Sequence, residues 1–256
     1  GRNITDLDIY GGAVIGRYEG TGPVTNTTFT SSWYNDPTNV IYSMSGNDLA
    51  VNGGNDFLVW TDKTYTPGGN LSARDLIIQS AATYNASDKT VALTRDLTTS
   101  GTFNGLASTV TMGRNFLENA GTFTSPVNLT IPGTFVLASG TFTAPSGILA
   151  LGSTFTNSGT FTHNSGTVRF DGAGSVLGTS ATMFNNVTIA GSLTAPSIMN
   201  VAGNWDNNGS FDAGSGTIIF NGTGTQTIYS GGYTDNYDFN NVTISNTSAP
   251  ITVSSE

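Results

Sequence analysis

His163 is the only histidine in the 256 residues. A lone imidazole does acid–base work only when a nucleophile or an orienting carboxylate stands beside it. The sequence supplies neither: His163 falls in the turn that holds Pro126 and Pro145 in the two units before it. It reads as a solvated turn residue. The carboxylates are scattered. Asp6/Asp8, Asp206/Asp212 and Asp235/Asp238 are the nearest pairs, and no acidic ladder recurs. Sugar hydrolysis through paired acids is therefore not expected, and the chain is read as a non-enzyme. Two phrases, Gly46-Asn47-Asp48-Leu49 and Gly54-Asn55-Asp56-Phe57, have the Gly-Asn-Asp chemistry of a calcium turn. Asp48 and Asp56 with turn carbonyls would offer hard oxygen ligands to Ca²⁺. Two Asn-Asp turns without metal account for the same residues, and no other cofactor is expected.

Asn-x-Ser/Thr occurs at Asn3, Asn26, Asn70, Asn85, Asn128, Asn186, Asn208, Asn221, Asn241 and Asn246. These are candidate N-glycosylation sites in a host that has the machinery. Ten exceeds only slightly what 26 asparagines among 67 serines and threonines give by chance, so the sequons carry little weight alone.

The composition excludes several classes. Thr 41, Gly 33, Asn 26 and Ser 26 make up almost half the chain, and only 10% of residues are charged. That is no helical bundle or coiled coil, which would need Ala, Glu, Lys and Leu. The net charge of −9, with two lysines and six arginines, excludes nucleic acid as an expected partner. The absence of cysteine removes disulfides, thiolate zinc sites and a cysteine nucleophile together. No apolar run approaches the roughly 18 residues of a membrane helix. The chain opens at Gly1 instead of Met, which is read as a processed, exported protein.

What positions these residues is a repeat. Asn119-Ala120-Gly121-Thr122-Phe123-Thr124 recurs at 138–143 and again at 157–162, by the same step each time. Aromatics continue the series at Tyr65, Tyr84, Phe103, Phe123, Phe142 and Phe161. A second ladder runs Leu97, Phe116, Phe135, Phe155. A third consists of apolar pairs two apart, Val91/Leu93, Val110/Met112, Leu129/Ile131, Leu149/Leu151 and Val168/Phe170. Each unit thus holds three short half-buried strands divided by Gly, Asn, Ser or Pro. Such strands cannot bury their inner faces alone, but stacked coils can. The fold expected is an all-β, parallel β-solenoid of triangular section with about 19 residues per coil. An antiparallel sandwich is the alternative, though it does not require register to be kept over six units.

Beyond Phe170 the phrases recur at longer steps. Ser165-Gly166-Thr167-Val168-Arg169-Phe170 returns as Ser215-Gly216-Thr217-Ile218-Ile219-Phe220. On that spacing Trp205 stands for Phe155 and Phe211 for Phe161. Phe184-Asn185-Asn186-Val187-Thr188-Ile189 returns by a slightly longer step, from Phe239. The expectation is the same coil with insertions, such as 171–183, on one corner. Residues 61–256 form the solenoid. Residues 1–60, with Tyr10, Tyr18, Trp33, Tyr34 and Tyr42, are expected to be an irregular β-rich cap or assembly segment.

Gly140-Thr141-Phe142-Thr143-Ala144-Pro145-Ser146-Gly147 and its successor one coil on, Gly159–Gly166, resemble repeats of large secreted bacterial β-helix proteins. These are the filamentous-haemagglutinin-type adhesins and autotransporter passengers. The resemblance implies a right-handed helix and an extracellular adhesive or structural role. The function expected is a self-assembling filament or surface-layer subunit whose partners are copies of itself, joined through open solenoid ends. The alternative is an adhesin segment that binds glycans, with Trp33 and Tyr34 lining a sugar site. A polysaccharide-active enzyme ranks below both. So does ice binding by the outward Thr-x-Thr rows, since Thr is also the ordinary polar strand former.

Overall fold

The computed structural model describes residues 56–231 and 238–254, apart from Trp60, Lys63 and Gly68, together with the strands Leu7–Ile9, Thr27–Phe29 and Leu49–Val51. Every regular element among them is a β-strand of two to five residues, and the pairing is parallel. The chain forms two compact units, 1–126 and 127–256. Each is a parallel β-solenoid, and the coils from Leu71 to Phe220 each contribute one strand to each of three sides.

In the N-terminal unit the first sheet holds Leu71–Ala73, Thr90–Leu93 and Thr109–Thr111. The second holds Phe57–Val59, Leu76–Ile78, Leu97–Thr99 and Phe116–Glu118. The third holds Thr64–Tyr65, Thr83–Asn85, Thr102–Asn104 and Thr122–Thr124. Register follows the sequence ladders: Tyr65 pairs with Tyr84, Tyr84 with Phe103, and Phe103 with Phe123. The rings of Phe103 and Phe123 lie 4.6 Å apart at 7°, stacked. Phe116 meets Phe123 edge-on at 4.8 Å, so the second-sheet and third-sheet columns interlock. The first sheet also runs back into the segment the sequence sets apart. Leu7 pairs with Thr27, Thr27 with Leu49, and Leu49 with Leu71. Tyr10, Tyr18, Trp33, Tyr34 and Tyr42 lie outside the described residues.

The C-terminal unit repeats the plan. Leu129 pairs with Leu149, Leu149 with Val168, and Val168 with Val187 in the first sheet. Phe135 stacks on Phe155 at 4.6 Å in the second. Phe142 stacks on Phe161 at 5.9 Å in the third. All of these are buried except Phe161, which is half-buried: its strand, Thr160–Thr162, is the last of the third sheet. A separate sheet of Met183–Phe184, Ile198–Val201, Thr217–Phe220 and Asn241–Ile244 then takes up that side. Phe184 keeps the column going, 5.7 Å from Phe161.

The long-range echo from Phe155 to Trp205 does not repeat in space. Phe155 lies in the second sheet and pairs with Val176. Trp205 lies in the first and pairs with Val187 and Ile228. Likewise Val168 belongs to the first sheet but Ile218 pairs with Met199 and Val242 on the third side. The reason is arithmetic: the step of the echo falls short of a whole number of coils, so each phrase lands one face earlier in the round. The inside/outside alternation survives this shift, and Trp205 and Phe211 are both buried. Nor is 171–183 wholly an insertion. Ala173–Leu177 is an ordinary second-sheet strand, and only 178–182 form an added loop.

Candidate functional site

The corners carry the polar chemistry. Asparagine and aspartate there accept the backbone N–H of the following coil. Asn70 Oδ1 accepts from Thr90 N at 2.8 Å, Asn128 Oδ1 from Ile148 N at 2.9 Å, and Asn186 Oδ1 from Asn204 N at 2.8 Å. Asp75 and Asp96 do the same for Asp96 N and Asn115 N, at 3.0 and 2.9 Å. Each bond ties one coil to the next and satisfies a donor that the corner would otherwise strand. This gives part of the asparagine excess a structural role.

Several sequon asparagines therefore hold the coil together. Beside Asn70, Asn128 and Asn186, Asn85 Nδ2 donates to Thr66 Oγ1 and its Oδ1 accepts from Asn104 Nδ2 at 2.7 Å. Asn208 Nδ2 donates to Asp206 at 2.8 Å, and Asn221 Nδ2 to Asn200 Oδ1 at 3.2 Å. Asn241 is exposed. Asn246 is buried, and its Nδ2 donates to Gly224 O and to the buried Gln226 Oε1. Asn3 and Asn26 lie outside the described residues.

Inward-pointing asparagines went unnoticed in the sequence. Asn157 and Asn207 are fully buried, each accepting the N–H of the glycine two positions on, Gly159 at 3.1 Å and Gly209 at 3.2 Å. The Asn-x-Gly phrase, present at 157–159 and again at 207–209, was the available signal.

A charge ladder, also missed, climbs the corner between the first and second sheets of the N-terminal unit. Arg74 grips Asp56 with Nε at 2.7 Å and a terminal nitrogen at 2.8 Å. Arg95 meets Asp75 at 3.0 Å, and Arg114 meets Asp96 at 3.1 Å. The guanidinium of Arg74 holds the Asp56 carboxyl below its ordinary range, whereas burial pushes that of Asp75 up. The two carboxylates respond to acid with opposite sign. Asp56 contributes stability above its unfolded value, near pH 3.8, and loses it as pH falls through the lower folded value. Asp75 gains stability from protonation. We expect Asp56→Asn to lower stability at pH 6 by about 0.5–1 kcal/mol, a part-exposed pair's worth. The deficit should vanish toward pH 2 in urea titrations of both proteins. A deficit unchanged across that range would show that the carboxylate's charge is not what Arg74 holds.

Of the two calcium candidates, Asp56 thus has both oxygens on Arg74, and Asp48 lies outside the described residues. Among the described residues no three His, Asp or Glu side chains gather as a metal site would need. Asp206 and Asp212 stand on different sheets, and Asp212 accepts from Gly214 N in its own turn. Asp6 and Asp235 are outside the described residues. The outward threonines align as the ladders require, Thr102 with Thr122 and Thr141 with Thr160, but the second row is broken by Asn85 and Asn104.

His163 lies on a corner groove of about 500 Å³ in the C-terminal unit, with Ser165, Asn185, Asn186, Asn204 and Thr223 among its lining. Its Nδ1 accepts the Ser165 N–H at 3.0 Å, which places the ring proton on Nε2. No helix of the described residues is long and apolar enough to cross a membrane. No protein-family model matches the chain, and neither a curated protein nor a solved structure matches it.

Proposed function

We propose that the chain is a structural subunit of an extracellular filament or surface layer, built by stacking an end coil of one copy on another copy. One observation carries this reading. Among the described residues, two inward columns of the C-terminal unit are sealed up to Phe220 and Ile228 and then open. Val201 and Phe220 are 0% exposed, but their successor Ile244 is 53% exposed. Ile228 is 4% exposed, but Val253, which pairs with it, is 71% exposed. Asn241–Ile244 and Ile251–Ser254 are also the outer strands of their sheets, each with one row of backbone groups facing outward. An apolar sheet edge of this kind pairs with another strand in parallel register unless charge or proline blocks it. The strands themselves, Asn-Val-Thr-Ile and Ile-Thr-Val-Ser, contain neither.

The expected result is concentration-dependent sedimentation of the 256-residue chain, with linear assemblies in negative-stain micrographs. The double variant Ile244→Lys, Val253→Lys should sediment as single chains at roughly 100-fold higher concentration, since edge lysines block strand pairing. Monodisperse single chains of the unmodified protein at every concentration would overturn the reading.

A further inference from the structure

The corners between the third side and the first sheet of the C-terminal unit differ in length. The chain uses residues 163–166 at one corner, Asn185 alone at the next, then 202–204, then 221–225. The one-residue turn recesses its coil between longer neighbours, and the groove of about 500 Å³ opens there. Asn185 and Asn186 belong to the recessed coil, His163 and Ser165 to the coil before, Asn204, Thr223 and Thr225 to the coils after.

We propose that this groove binds a neutral glycan. Its polar groups are held in place before any ligand arrives. Asn185 Nδ2 is fixed on Ser165 O at 2.8 Å. The Oδ1 atoms of Asn186 and Asn204 are fixed by Asn204 N and Thr227 N, each at 2.8 Å. With its oxygen so engaged, Asn204 offers its Nδ2 protons, and His163 offers Nε2–H because its Nδ1 already accepts. Thr223 and Thr225, both exposed, add hydroxyls that donate and accept. Such a mixed set matches sugar hydroxyls, which do both. Gly203 N and Gly222 N are engaged inside the solenoid, on Asn185 O and Gln226 Oε1, so the side chains carry the recognition. Gly224, with no atom within 4 Å of where a Cβ would stand, leaves the rim open. Neutrality follows from charge. Among the described residues no Lys, Arg, Asp or Glu lines the groove, so an acidic sugar would find no cation there. The net charge of −9 repels polyanions as well. Nor does a Phe, Tyr or Trp of the described residues line it for stacking, so free oligosaccharides should bind at about 0.1–1 mM and displayed polysaccharides more tightly.

The test is a printed array of neutral and acidic polysaccharides, followed by titration of the strongest oligosaccharide. Three proteins are compared: the full chain, Gly224→Leu, and the double variant Thr223→Ala, Thr225→Ala. A side chain at Gly224 meets open space, with no atom within 4 Å of its Cβ, so leucine adds bulk to the groove's lining without straining the coil. The expected result is retention on one or more neutral glycans. Affinity should fall at least ~10-fold in both variants, with melting temperatures and sedimentation unchanged. The proposal is overturned by no retention on any neutral glycan, by variants that bind as well as the unmodified chain, or by preference for acidic glycans. Loss of assembly in the lysine variant with glycan binding intact would separate this site from the filament reading.

Discussion

Phe155→Ala should lower the unfolding free energy of the C-terminal unit by about 3–5 kcal/mol, the largest loss expected from a single side chain. Phe155 is fully buried and stacks on Phe135 at 4.6 Å. Its edge contacts with Phe161 at 5.3 Å and Phe184 at 5.4 Å bridge the break between the two third-side sheets. Truncation therefore opens a cavity shared by three coils, and short strands cannot collapse onto it without losing register. A unit of this size should melt roughly 10 °C lower. Solenoid coils unfold in stages, so hydrogen exchange is the better measurement, with lost protection concentrated in 135–137, 155–157 and 183–184. Thr156→Ala is the control. It lies next along the strand but faces outward, so its cost should stay below about 0.5 kcal/mol. Equal losses from the two variants would mean that the inward column is not what stabilises the unit.

Gly121→Ala should cost about 3 kcal/mol or more although it adds one methyl group. Gly121 has φ of 87°, where an L residue loses about 1–2 kcal/mol. The added Cβ would overlap the carbonyl oxygen of Gly101 in the coil before. That neighbour is backbone, and it is tied down: Gly101 O accepts from Thr122 N at 2.9 Å. Relief would require separating two coils, so the pairing of Thr102–Asn104 with Thr122–Thr124 should weaken first. Limited proteolysis and exchange in those strands will read it. Gly224→Ala sets the scale at the other extreme, because open space surrounds it and the unfolded chain loses freedom. It should be neutral or stabilising by up to about 1 kcal/mol. If both alanines behave alike, close approach of the coils at that corner is not a constraint.

The inward residues of the regular coils were legible in the sequence because inside and outside alternate with a period of two and the coil step stays nearly constant from Tyr65 to Phe161. Tyr84, Phe103 and Phe123 could be placed over one another from spacing alone. Three matters were not legible. The face on which a phrase lands depends on the summed length of all corners before it, so the echo of Phe155 at Trp205 misassigned the sheet. The Arg74–Asp56, Arg95–Asp75 and Arg114–Asp96 ladder joins residues a full coil apart that look like isolated charges until their coils are stacked. The groove beside His163 arises from unequal corners, and no one segment encodes it.

The sequence by itself determined which residues face inward, that strands must be short and stacked, and that Thr, Asn and Gly fill the outward and corner positions. Those outcomes follow from local sterics and burial, which act over a short stretch of chain. The tertiary structure decided the partners: which asparagine staples which coil, where the third sheet breaks between Phe161 and Phe184, and where Asn185 recesses the corner beneath His163. Each of these is a relation between coils. It is set by the accumulated length of chain between them, and small changes in corner length alter it without changing the local pattern.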